Sequence, residues 1–476
     1  MKTIIENGKL ILPGQIVEKG YIVSENGIIS EIGEGRYEGR TETDIVIEAN
    51  NHYVSPGFID MHTHGAGGYD FMDNTVEAYL GIAKKHAEYG TTSLVPTTLT
   101  STTEELIKTF AVYEQAKAIN TEGADLLGIH LEGPYFSYQQ RGAQDPKYLR
   151  NPKPEEYNEI LKKSHHHLIR WSVAPELPGA LELGDVLKSE GILASIGHTD
   201  ALYEEVVAAR KHGYTHVTHL YSCMSTVTRR QAYRYAGALE AAYMIDDMSV
   251  EILADGIHLP QALLQFVCKF KPHRLIALCT DSMRAAGMPD GEYHLGSLNN
   301  GQKVIVEDGV AKLPDRSAFS GSVATADRLV RTMVDIAGLS IVEAVRMMTE
   351  NPARILGVDR TKGTIEVGKD ADIIVFDTNI TIQTTVVKGK VIYHKKKKDD
   401  DIKEGQIGSQ SIRHDKRNGH RGCQRRGKPN WNVIEKARDH QHDLRGGTVA
   451  IRVSQSTDRA QRDRMETHQY LSHGRI

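Results

Sequence analysis

From about residue 54 to residue 359, eight short apolar runs alternate with amphipathic stretches, and this alternation restricts the fold more than any other feature of the chain. The strand-like runs are Phe58–His62, Ser93–Pro96, Leu126–Leu131, Ile169–Ala174, Leu193–Gly197, His216–Leu220, Val250–Ala254 and Leu275–Thr280. Helical periodicity separates most of them, at Glu77–Tyr89, Thr103–Asn120, Pro154–Lys163, Tyr203–His212 and Pro260–Phe270. Eight β/α units predict an α/β chain folded as a (β/α)8 TIM-like barrel, with the last residue of every strand facing one shared rim.

The residues at those strand ends carry the chemistry. Strand one runs through Phe58-Ile59-Asp60-Met61-His62 into Thr63-His64-Gly65. Alternate side chains of a strand share a face, so His62 and His64 project together. The others end in His130-Leu131-Glu132, Gly197-His198-Thr199, Thr218-His219-Leu220, Asp255-Gly256-Ile257-His258 and Thr280-Asp281-Ser282. A capped turn or a satisfied core histidine would explain any one of these. It does not explain six, because burying so many imidazoles and carboxylates without a partner is costly. A bound metal ion is the economical reading.

The flanks are different. Residues 1–53 hold short β-type runs (Thr3-Ile4-Ile5, Tyr21-Ile22-Val23, Ile28-Ile29, Asp44-Ile45-Val46-Ile47) separated by Asn-Gly and Gly-rich turns, which reads as a small antiparallel sheet. Residues 360–394 return a matching set at Gly363-Thr364-Ile365, Ala371–Phe376 and Val386–Tyr393. Pairing the two ends gives one small β-sandwich bracketing the central domain of residues 54–359.

The chain has 476 residues, 39% hydrophobic and 25% charged, ample for a large core. It has no apolar run long enough to span a bilayer and no secretory pattern, which predicts a cytoplasmic protein without a membrane partner. Cys223, Cys268, Cys279 and Cys423 are scattered, so neither a disulfide framework nor a thiolate zinc site is expected. Residues 395–476 are set apart: 20 Lys and Arg against 11 Asp and Glu, little apolar content and no period. This basic tail follows Lys395-Lys396-Lys397-Lys398, and homopolymer lysine codons invite frame slips. Residues beyond about 398 therefore read as out-of-frame translation, expected to be disordered. A nucleotide sequence with a uniquely open present frame would contradict that. A nucleic-acid-binding arm is the poorer reading, because acidic residues are interspersed and aromatics are nearly absent.

Taken in order, PGFIDMHTHG, HLEGPYF, GHTD, THLY, DGIH and TDS resemble the amidohydrolase superfamily, and within it the N-acetylglucosamine-6-phosphate deacetylases. The resemblance covers about residues 1–394. It implies a metal-dependent barrel that hydrolyses the acetamide of N-acetylglucosamine 6-phosphate in amino-sugar metabolism, acting as a cytoplasmic homodimer. It also implies that Glu132, His198 and His219 are the principal metal ligands. His62 and His64 match the second-metal ligands of some members, where Glu132 bridges both ions, so of one or two divalent ions (Zn, Fe, Mn or Co) the resemblance favours two. Asp281 matches the catalytic aspartate, which would accept the water's proton, and it is counted among the metal ligands too. Gln144 stands where many members carry histidine, and its amide can stabilise an oxyanion.

Substrate recognition departs from the pattern. His258 matches the histidine that contacts the sugar, and Phe319-Ser320-Gly321-Ser322 resembles the covering segment. Tyr221-Ser222-Cys223-Met224 replaces the usual Asn-Ala-Met, leaving Ser222 and Cys223 at the phosphate end. Thr228–Arg234 replaces Gly-Arg-Glu-Pro-Gly, with Arg230, then Arg229, the candidate phosphate clamp. These departures open the galacto epimer as an alternative substrate. A cyclic-amide hydrolase is a further alternative. Many such enzymes use a strand-four lysine, whereas Trp171-Ser172-Val173-Ala174-Pro175-Glu176 offers none.

Overall fold

A computed structural model of the chain describes residues 2–396. The out-of-frame reading and the nucleic-acid-arm alternative concern residues that lie, but for the first two lysines, outside the described part.

Two parallel sheets form the centre. One has six strands in the order Ile129–Glu132, Leu168–Val173, Leu193–Ile196, Tyr214–Val217, Ser249–Ile252 and Ile276–Leu278. The other runs Asp125–Leu126, Thr91–Pro96 and Phe58–Thr63. Isolated parallel bridges, Thr97 to His130 and Thr63 to Ser282, link the two sheets, so the strands curl around a common interior. These strands lack clean polar alternation because both faces are covered. Phe58–Thr63 and Thr91–Pro96 are buried at every position.

Helices follow the strands and turn one apolar stripe inward. Thr103–Ile119 starts where the Thr102 hydroxyl accepts the Glu105 amide. It buries Leu106, Phe110 and Tyr113, spaced four and three residues apart. Each such side chain contributes about 1.5–3 kcal/mol on burial, before its entropy cost. Ala180–Ser189, Ala238–Met244 and Ala326–Asp335 are helices that the periodicity did not single out. Glu350–Ile355 serves structure, as its position after a helix suggests: Asn351 Nδ2 donates to the carbonyls of His273 and Ile276.

The strand bounds differ from expectation where it matters. Leu126–Leu131 is broken at Leu127-Gly128, and the sixth and eighth strands stop at Val217 and Leu278. His219 and Asp281 therefore sit past the strand ends, on turns.

The two segments that flank the central domain join in one continuous sheet. Tyr53–Pro56 pairs antiparallel with Ile373–Phe376, giving eight strands in all. The sheet is mixed rather than antiparallel, since Lys2–Leu12 runs parallel to both Ile45–Glu48 and Tyr53–Pro56. Gly363-Thr364-Ile365 is not a strand; Ile365 only contributes to the sheet's apolar core beside Leu10, Val54 and Ile373. The Asn26-Gly27 turn does what its sequence promises: both residues take left-handed φ (54° and 83°), as a tight hairpin requires. Among the described residues no helix is long and apolar enough to cross a membrane, and Cys223, Cys268 and Cys279 are free thiols.

Candidate metal centre and substrate cavity

Six side chains from five strand ends meet at one point. Glu132 is the hub. Its Oε1 lies 3.1 Å from His219 Nε2, 3.3 Å from His198 Nε2 and 3.5 Å from His62 Nε2, and its Oε2 lies 3.3 Å from His64 Nε2. Asp281 Oδ1 closes the far side, 3.2 Å from His64 Nε2 and 3.5 Å from His62 Nε2. His198 and His219 approach each other at 3.1 Å, and His62 and His64 at 3.4 Å, all through Nε2. Tetrahedral ligands about 2.05 Å from a cation sit about 3.3 Å apart. The donor spacing is that of a coordination polyhedron, and two groups offer it: His62, His64, Glu132 and Glu132, His198, His219. Buried His/Glu clusters of this kind suit a divalent metal.

The rings are aimed by their other nitrogens. His62 Nδ1–H donates to Glu251 Oε1 at 2.7 Å, and His198 Nδ1–H to the Gln140 carbonyl at 2.9 Å. Each bond leaves the Nε2 lone pair facing the centre. Phe136 stacks on His198 at 4.4 Å and limits its tilt. His198, His219 and Asp281 hold left-handed φ angles of 47°, 28° and 46°. Non-glycine residues adopt that region at a cost of about 1–3 kcal/mol, tolerated where surrounding bonds over-determine it. For Asp281 those bonds are its N–H to the His62 carbonyl at 2.9 Å and the Ser322 N–H to its own carbonyl at 2.8 Å.

The electrostatics follow from burial against charge. Burial pushes the Glu132 carboxyl up, but His62, His198, His219 and His64 outweigh it and hold it well below the usual range. Asp281 is likewise pushed up by burial and pulled below its ordinary value by His62 and His64. Burial pushes His64 down, yet Asp281 and Glu132 raise it to about 10. A metal ion must displace that proton, so uptake releases protons. We expect metal affinity, measured by competition with a chelator, to weaken as pH falls from about 8 to about 6; affinity that is flat over that range would show that the imidazoles are not ligands. A third group, His62, Glu251 and Cys279, has the right proximity but the wrong chemistry. Burial pushes the Cys279 thiol well up, which keeps it protonated, and His62 Nδ1 is committed to Glu251.

A cavity of about 300 Å3 opens above this centre, lined by His64, Glu132, Gln144, His198, His219 and Asp281, and by Ser222, Cys223, His258 and Phe319. Gln144 lines the cavity and also supports the hub. Its Nε2 donates to Glu132 Oε2 at 2.8 Å and its Oε1 accepts the Thr100 amide at 2.9 Å, so one of its two N–H groups steadies the hub carboxylate. His258 is oriented by Asp255, Nδ1 to Oδ2 2.8 Å, and its ring packs 4.6 Å from the half-exposed Phe319. His130, though at a strand end, stands outside the metal group, bonded to Thr97 and Ser172.

Arg229 and Arg230 are not brought to the cavity. They lie exposed on a two-stranded ribbon, Thr228–Arg230 with Tyr233–Tyr235. Sequence reading missed Arg170 and Glu251, which support the centre from below, and Leu99, Tyr221 and Leu295, which wall the cavity. A charge of each sign inside otherwise apolar buried strands was the available signal for the first pair.

The chain belongs to the amidohydrolase family, whose model matches residues 53–392, and is an amidohydrolase. Among curated relatives it is 33% identical to the N-acetylglucosamine-6-phosphate deacetylase of Vibrio furnissii, over 75% of this chain and 87% of that protein. It is 32% identical to the N-acetylgalactosamine-6-phosphate deacetylase of Escherichia coli O157:H7, over 73% and 89%. A solved structure of a variant N-acetyl-D-glucosamine-6-phosphate deacetylase from Mycobacterium smegmatis, in complex with N-acetyl-D-glucosamine-6-phosphate, superposes with a TM-score of 0.74 at 28% identity. That match covers 82% of this chain and 99% of the other.

Proposed function

We propose that this amidohydrolase removes the acetyl group of an N-acetylhexosamine 6-phosphate, with N-acetylglucosamine 6-phosphate the leading substrate. The observation that carries the reading is Glu132 within 3.5 Å of four imidazoles, beside an ionised Asp281 and beneath a cavity of about 300 Å3. We read the two linked parallel sheets as one (β/α)8 barrel of about residues 54–359, flanked by a β-domain built from residues 1–53 and 360–394. Glu132, His198 and His219 would hold one divalent ion, and His62 and His64 a second. Nitrogen and oxygen donors suit Zn, Fe, Mn or Co. The chemistry such an ion supplies when bound is Lewis acidity and a water whose pKa falls from about 16 towards about 7.

The protein's own groups do the rest. Asp281, ionised at neutral pH, takes the proton of the attacking water and delivers it to the departing sugar nitrogen, because an unprotonated amine leaves poorly. The second N–H of Gln144 is available to the carbonyl oxygen as charge develops. His258, fixed by Asp255, and Ser222 offer hydrogen bonds to the sugar, while Cys223 and Phe319 close the cavity around it. Arg230 and Arg229 remain our choice for the phosphate. Their ribbon lies away from its own cavity, so we assign them to the cavity of a second copy in a homodimer.

Release of acetate from N-acetylglucosamine 6-phosphate, its unphosphorylated form and the galacto epimer tests the reading. Turnover of a phosphorylated N-acetylhexosamine above its unphosphorylated form is the expected result; no acetate from any amino sugar would overturn it. The galacto epimer is the second reading, favoured by the near-equal identity of the two curated relatives and by the altered Tyr221–Met224 segment.

A further inference from the structure

A fully buried carboxylate, Asp60, lies two residues before His62 on Phe58–Thr63. It reaches across to Thr280, the residue before Asp281, which is also 0% exposed. Asp60 Oδ2 accepts the Thr280 hydroxyl at 2.6 Å, and Oδ1 accepts the Thr280 amide at 3.2 Å. The His62 amide approaches the same Oδ1 at 3.4 Å. The segments so joined belong to different sheets, and single bonds rather than a continuous ladder set their register.

A buried carboxylate is costly unless it is paired. Among the described residues no lysine or arginine pairs with Asp60. His86 Nδ1 stands 3.9 Å away, beyond hydrogen-bond reach, and burial lowers the His86 pKa to about 4, which keeps the ring neutral. Hydrogen bonds alone satisfy the carboxylate, and two of the three end on the residue that leads into Asp281.

Those bonds fix the peptide between Thr280 and Asp281. Ser322 Oγ donates to the Thr280 carbonyl at 2.5 Å, so the amide, hydroxyl and carbonyl of Thr280 are all held. Asp281 follows in the left-handed region at φ 46°, a conformation kept only where neighbours over-determine it. Its Oδ1 is thereby placed 3.2 Å from His64 Nε2 and 3.5 Å from His62 Nε2. A proton-transfer group misplaced by about 1 Å can lose about 10²-fold in rate.

We propose that Asp60 is a positioning residue for Asp281, holding the acid–base carboxylate in register with the metal group through Thr280. The inference rests on the acid–base role given to Asp281 above, and not on which sugar is cleaved.

The test compares Asp60→Ala, Thr280→Val and Thr280→Ser, each alone and combined with Asp281→Asn, in the metal-loaded full chain. Asp60→Ala and Thr280→Val should each lower kcat about 10- to 100-fold, with KM changed less than about threefold and metal content unchanged. Thr280→Ser keeps the hydroxyl and should stay within about threefold of the parent. Added to Asp281→Asn, Asp60→Ala should lower kcat by less than about twofold more, because the carboxylate it positions is gone. The cobalt(II)-loaded protein gives a readout without substrate: Asp60→Ala and Thr280→Val should shift its visible bands in the direction that Asp281→Asn does. Circular dichroism checks folding, and Thr280→Val carries the test if Asp60→Ala does not fold. Equal losses with and without Asp281, loss of metal, a raised KM at unchanged kcat, equal damage from Thr280→Ser and Thr280→Val, or unshifted cobalt bands would each overturn the proposal. Full activity in Asp281→Asn would overturn it together with the acid–base reading. No acetate from any amino sugar would overturn the deacetylase reading alone, and the cobalt bands would still decide this inference.

Discussion

Asp281→Asn is expected to keep its metal and lose turnover by at least about 10²-fold, the range general acid–base groups contribute. The substitution preserves shape and the left-handed backbone turn, which Asn tolerates, so the bonds that fix residue 281 between the His62 carbonyl and the Ser322 amide survive. What disappears, in the proposed mechanism, is the acceptor of the water's proton, and with it the acid that protonates the leaving amine. Because the carboxylate acts on the reacting atoms, kcat and kcat/KM should fall together while KM changes little. Metal content measured by elemental analysis separates this from His198→Ala or His219→Ala, which should lose the ion as well as the rate. Full activity in the Asn variant would remove Asp281 from the mechanism.

The ring around Glu132 was legible because it obeys strand arithmetic. His62 and His64 share a face by period two, and their Nε2 atoms do lie 3.4 Å apart. His198 and His219 were legible because parallel strands of one curled sheet deliver their ends to one rim, even though both sit on left-handed turns that no propensity announces. The ribbon at Thr228–Tyr235 was not legible, for a physical reason: its turn residues, Gln231 and Ala232, adopt φ of 46° and 73° without the Asn-Gly signature that such turns carry. The antiparallel insertion Gly291–Leu295, Gln302–Glu307 and Val310–Lys312 was missed beside it. Its strands pack on a small core of their own, Met283, Leu295, Val304 and Val306, rather than on the main one. The polar underside of the site was hidden because Arg170 and Glu251 each look like an accident in an apolar run, and only the fold places them together.

That pair yields the largest stability effect. Arg170 and Glu251 are both 0% exposed and meet through two bonds, 2.6 and 2.9 Å. Arg170 also donates to the Met61 carbonyl, Ser195 and Thr218, so two further strands and the residue just past a third hang on one guanidinium. Glu251 accepts from His62 Nδ1 and from the His219 amide, which ties both ends of the metal group to the same carboxylate. Removing one member leaves the other charged and buried, a loss of about 3–5 kcal/mol. Arg170→Met should therefore lower stability in urea unfolding by that order, with the metal-free enzyme most affected because a bound ion adds its own stabilisation. The double variant Arg170→Met/Glu251→Leu should recover part of the loss, since an apolar pair of similar volume avoids burying charge. It should not recover metal at His62 and His64, because the His62 ring then has no acceptor to hold its Nδ1–H. A cost below about 1 kcal/mol for Arg170→Met would show that the pair is dispensable to the fold, and full metal stoichiometry in the double variant would show that Glu251 does not aim His62.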